Sequence, residues 1–125
     1  MAQRDITGAV DFAYLETYAA GDAGVIEEVL AIFCEQSAMW GRLLDPSGDA
    51  QGWRDAAHTL KGASLGIGAF ALAEVCDQAE QASTSGEIER TMLLERLRNA
   101  LQAVLSDISA YTHARALQSL KTPQA

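Results

Sequence analysis

Between Glu89 and Leu117 the chain has neither proline nor glycine, and Leu94, Leu97, Leu101, Val104, Ile108 and Tyr111 recur there in steps of three and four. Only an α-helix gathers residues so spaced onto one face, because a strand would send alternate residues to opposite sides. A helix with an apolar stripe this long must bury it against other elements, and no stretch of the chain shows the sustained alternation of a strand. Its partners must therefore be helices.

Turn-forming residues divide the rest of the chain into four further helical segments. The first spans Asp11 to Ala20, with Phe12, Leu15 and Ala19 on one side; Gly21 stops it and Asp22 is an N-cap for the next. The second runs from Ala23 to Leu44, with Val25, Val29, Ile32, Phe33, Trp40 and Leu43 as its inward positions. Asp45-Pro46-Ser47-Gly48-Asp49 is a turn cluster, the third helix follows from Gln51 to Leu65, and Gly66-Ile67-Gly68 ends it. The fourth runs from Ala69 to Ala82 with Leu72, Val75, Cys76 and Ala79 inward, and Ser83-Thr84-Ser85-Gly86 leads into the long last helix. Short connections between long helices make them antiparallel neighbours. The expected fold is all-α, an antiparallel four-helix bundle with a short extra N-terminal helix. One domain over residues 11–117 is expected, with 1–10 and 118–125 as flexible termini.

Composition narrows the function. A net charge of −8 argues against nucleic acid and against anionic membranes, since both need clustered Lys and Arg. No apolar run approaches the roughly 20 residues of a membrane span, and Met1 to Thr7 lacks the basic and apolar regions of a signal peptide. A cytoplasmic location is expected. Cys34 and Cys76 form neither a CxxC nor a zinc spacing and read as small buried hydrophobes. A di-iron bundle needs paired Glu-x-x-His motifs; this chain offers one Asp55-x-x-His58, so no metal is expected. There is no P-loop and no nucleophile evidently matched to a histidine, which argues against an ATPase, an autokinase or a hydrolase. Trp40 and Trp53 read as core, and His113, with no constellation around it, as a surface residue.

The other histidine differs. On a wheel of the third helix, Trp53, Ala57, Leu60, Ser64 and Ile67 form the core arc, and His58 lies roughly 140° from its centre at about 100° per residue. It points to solvent from the middle of a rigid element. Gly62 stands four residues on, on the same face, although glycine inside a helix costs about 1 kcal/mol relative to alanine. It clears bulk beside the imidazole for a phosphoryl group or another protein's backbone. Lys61 and Arg54 flank the ring, and the window 54–68 is locally +1 in an acidic chain. An exposed imidazole between two cations suits a site that must carry a dianion.

The run Ala57-His58-Thr59-Leu60-Lys61-Gly62-Ala63-Ser64, followed by Gly68-Ala69, Leu72, Cys76 and Glu80, resembles the histidine-containing phosphotransfer (HPt) domain of two-component phosphorelays. The resemblance covers residues 11–111. It implies that His58 is the phosphoacceptor, that Lys61 interacts with the phosphoryl group, that Gly62 gives the partner room, and that Gly68 serves the turn between the two central helices. Glu80 stands where other members have a Gln that hydrogen-bonds the imidazole; its charge opposes a phosphoryl group unless a cation pairs with it. Gly66 and Ala79 also depart from the common pattern. The implied partners are response-regulator receiver domains and a hybrid or cognate histidine kinase. A receiver would supply an aspartyl phosphate and its own Mg²⁺, and this chain would need no cofactor. Leu65, seven residues beyond His58, is a candidate receiver contact, and Tyr14 of the first helix extends that patch. The bundle needs no second chain to close, so a monomer is expected. The alternative is an adaptor that binds a receiver or kinase without carrying phosphate; the intact His-x-x-Lys-Gly speaks against it.

Overall fold

The computed structural model describes residues 8–121. Within them the chain folds as α1 (Phe12–Tyr18), α2 (Ala23–Leu43), α3 (Ala50–Gly66), α4 (Phe70–Gln81) and α5 (Glu87–Lys121). The four long helices form the bundle, with α1 as the extra N-terminal helix. Aspartates start three of the helices by accepting otherwise unpaired backbone N–H groups. Asp11 takes Tyr14 N at 3.0 Å, Asp22 takes Gly24 N and Val25 N at 3.0 and 3.2 Å, and Asp49 takes Gly52 N at 2.6 Å. None of the helices is long and apolar enough to cross a membrane.

The core is a column of side chains from every helix, including Leu15, Ile26, Leu30, Phe33, Trp53, Leu60, Leu72, Leu97 and Val104. The inward faces expected for α3, α4 and α5 are the buried ones, with Val75, Leu101 and Tyr111 partly buried at the margin. Helix α2 is turned differently. Its buried positions are Ile26, Leu30, Phe33 and Ser37, while Val25, Ile32 and Leu43, expected inward, are 42%, 45% and 55% exposed. The inward stripe contains a serine, whose hydroxyl donates to the Cys34 carbonyl at 3.1 Å and so is buried without an unmet hydrogen bond. Trp40 is half-buried, in contrast to the fully buried Trp53.

The ends also differ from expectation. Val10 is buried, and the backbone N–H groups of Ala9 and Val10 donate to the Asp107 carboxylate of α5. Helix α5 continues through 118–121. Residues 9 and 10 thus contact α5, and 118–121 extend it; the remaining terminal residues lie outside the described ones. Helix α1 is fastened to α5 by Phe12 stacked on Tyr111 at 4.1 Å and by the Tyr111 hydroxyl donating to Glu16 at 2.8 Å. Burial, then Glu16, pushes the Tyr111 phenol above its ordinary range.

Candidate functional site

Helix α3 carries the site, and its attachment to α4 sets the geometry. Trp53 is buried and its indole Nε1 donates to the Ala79 carbonyl at 2.6 Å. Arg90 of α5 lies over the Trp53 ring at 5.6 Å and donates to the Gly48 carbonyl at 3.1 Å, tying the turn before α3 to the bundle. The buried residues of the two helices include many small ones, Ala56, Ala57 and Ser64 on α3 and Ala73, Cys76 and Ala79 on α4, beside the larger Trp53, Leu60 and Leu72. The Ser64 hydroxyl is satisfied by the Leu60 carbonyl at 2.7 Å. Burial pushes the Cys76 thiol up to about 12, and Cys34 is raised by burial as well, so neither is a ready thiolate. Both are free cysteines.

On the outer side of this seam stand four polar residues in two pairs. Residues 58 and 61 are three apart on α3, and 77 and 80 are three apart on α4, so each pair shares a helix face. His58 Nδ1 lies 3.1 Å from Glu80 Oε2. Lys61 Nζ lies 3.1 Å from Glu80 Oε1 and 3.1 Å from Asp77 Oδ1. Glu80 therefore spans the histidine and the lysine with its two oxygens. The cation required beside this carboxylate is Lys61. Hydrogen bonds donated to Asp77, then to Glu80, hold the Lys61 ammonium above its ordinary value.

His58 remains open despite its partner: its side chain is 67% exposed, against 21% for Glu80 and 25% for Lys61. A carboxylate partner at Nδ1 favours the neutral tautomer that carries its proton there, which leaves Nε2 as the nitrogen with a lone pair. A Cβ added at Gly62 would meet nothing within 4 Å. Among the described residues, no packing contact requires a glycine there. Gly68 is the opposite case. Its φ is +80°, and a Cβ would come within 2.9 Å of the Asp11 carbonyl oxygen and 3.1 Å of the Tyr14 ring. Its carbonyl also accepts the Asp11 N–H at 2.9 Å, so the turn after α3 carries α1.

The remaining expected residues are more dispersed. Arg54 bonds Gln51, which in turn donates to Asp55 at 2.7 Å. Its guanidinium is drawn toward the start of α3 and away from His58, so one cation, not two, stands beside the ring. Leu65 is 44% exposed and Tyr14 38% exposed, the latter edge-on to Phe70 at 5.3 Å. Gly66 closes α3, with open space around it. Asp77 was not foreseen; the signal was available in its spacing from Glu80, which repeats the spacing of His58 and Lys61. Among the described residues no group of three or more His, Cys, Asp or Glu side chains is arranged to hold a metal ion.

The sequence pattern of the Hpt domain family matches residues 19–110. Among solved structures, the crystal structure of the histidine phosphotransferase ShpA from Caulobacter crescentus is similar at 53% sequence identity. The similarity has a TM-score of 0.75 and covers 90% of this chain and 99% of that one. Comparison with curated proteins found no match.

Proposed function

This chain belongs to the Hpt domain family and is a phosphotransfer protein of phosphorelays, and we propose that His58 is the residue on which it carries the phosphoryl group. The observation that carries this reading is the ring itself: outward-facing, held at Nδ1 by Glu80 at 3.1 Å, and set beside a glycine with open space above it. In the proposed step the Nε2 lone pair of neutral His58 attacks the phosphorus of a receiver's aspartyl phosphate in line. The N–P bond forms as the P–O bond to the aspartate breaks, and the bonding pair leaves with the aspartate carboxylate. The Nδ1 proton stays in place. The phosphorylated ring is then cationic, and Glu80 offsets that charge. Lys61 is the cation nearest the new dianion, Gly62 lets the partner approach, and Mg²⁺ is expected on the receiver, not on this chain. Reversal of the same step onto a second receiver completes a relay.

Hpt domain proteins work with receiver domains and histidine kinases. We assign the receiver contact to Leu65, seven residues beyond His58 on α3, and to Tyr14, which lies against Gly68 and edge-on to Phe70. A cytoplasmic monomer is the form proposed to meet them. Mixing the protein with a phosphorylated receiver and its kinase tests the reading. Wild type takes acid-labile, alkali-stable label, and His58→Gln, a change at an exposed position, takes none while keeping its helical circular dichroism. Label persisting in His58→Gln removes the assignment.

A further inference from the structure

We propose that Asp77 is a positioning residue that holds Lys61 away from the phosphoryl group, and so biases this protein toward giving the group up. The inference rests on His58 being the carrier. Its starting point is a charge imbalance in the four-residue network. At rest, with His58 neutral, Lys61 contributes one positive charge and Asp77 and Glu80 two negative ones, a sum of −1. Phosphorylation adds a dianion and makes the ring cationic, which takes the sum to −2. A site selected only to retain the phosphoryl group would not surround its one cation with two carboxylates.

The two carboxylates have different work. Glu80 touches both His58 Nδ1 and Lys61 Nζ, so it is needed to orient the ring and to offset the cationic form. Asp77 is placed 3.1 Å from Lys61 Nζ, and it is Glu80, not Asp77, that bonds the ring. Two carboxylates 3.1 Å from Lys61 Nζ compete with a phosphoryl oxygen on His58 for the charge and the donors of the ammonium. Asp77 is the one whose hold serves no other purpose in the network. It is also the first of the two causes that raise the Lys61 ammonium. Arg54, the other cation of α3, is bonded to Gln51 and not to this network. Asp77 thus competes with the phosphoryl group for the lysine and destabilises the phosphorylated state relative to the resting one.

The test uses the full chain as wild type, Asp77→Asn, Lys61→Met and the double variant, each brought to equilibrium with a phosphorylated receiver domain. The readout is the ratio of phosphohistidine to aspartyl phosphate. Asp77→Asn is expected to raise that ratio about 2- to 5-fold, the range that corresponds to a partly exposed ion pair. Damage to the fold would lower it. In the Lys61→Met background the same substitution is expected to change nothing, because Asp77 acts through the lysine. A ratio in Asp77→Asn equal to or below wild type overturns the proposal, as does an increase that persists without Lys61. Failure of wild type to take label at His58 is a separate result; it overturns the carrier reading on which this one stands.

Discussion

The α3–α4 seam and the α2–α5 seam bury their faces by different means. Between α3 and α4 the buried residues include the small Ala56, Ala57, Ser64, Ala73, Cys76 and Ala79 beside the larger Trp53, Leu60 and Leu72, and polar bonds cross from one helix to the other at Trp53, His58 and Lys61. Between α2 and α5, Leu30 and Ile108 are buried and no side-chain bond of this kind fixes the spacing among the described residues. A cleft of about 430 Å³ remains there, lined by Glu27, Leu30, Ala31, Cys34, Ile108 and Thr112. Small side chains let two helices approach, and only close helices let a glutamate on one hold a histidine on the other at hydrogen-bond distance. The chemistry sits on the close seam because positional tolerance there is least.

Three substitutions break or sharpen that contrast. Ala57 is fully buried next to His58, so Ala57→Leu forces α3 from α4. It should cost about 1–3 kcal/mol in denaturant unfolding and slow phosphotransfer as well, since the His58–Glu80 bond depends on the spacing. An Ala57→Leu variant as stable as wild type would show that the small-residue seam has slack. Gly62 bounds the tight region from outside. Gly62→Ala should stabilise the helix by about 0.5–1 kcal/mol, because alanine replaces glycine where nothing is in the way. The larger Gly62→Gln should fold as well and transfer more slowly. Loss of stability in Gly62→Ala would mean that the chain's own packing needs the glycine. Ala31→Leu, on the cleft, should move stability by no more than about 0.5 kcal/mol, as surface changes usually do, and leave transfer unchanged. A loss there as large as at Ala57 would erase the distinction between the seams.

Much of this was legible before the structure. The helical period of the chain is a local property, and the aspartate caps and glycine stops marked most boundaries to within one or two residues. The outward direction of His58 followed from a wheel because α3 has a single clear apolar arc. The wheel failed on α2, where two candidate stripes compete. The buried one includes Ser37, whose hydroxyl is made acceptable by a backbone carbonyl that hydropathy does not count. Arg54 was misread for a related reason. Its spacing from His58 is right, but a long side chain goes where its best partner is, and Gln51 lies one turn the other way.

What the sequence determined by itself was the set of helices, the inward arc of most of them, and an exposed histidine beside a lysine and a glycine. These depend on residues near one another in the chain. What only the tertiary structure decided was the meaning of Glu80 and Asp77. They stand 22 and 16 residues from the groups they bind, and a carboxylate read alone beside a future phosphoryl group looks like a liability. Packing α4 against α3 converts Glu80 into the group that orients the ring, because one oxygen meets His58 while the other meets Lys61. The sign of an electrostatic effect depends on distances between groups, and those distances exist only once the two helices have closed on each other.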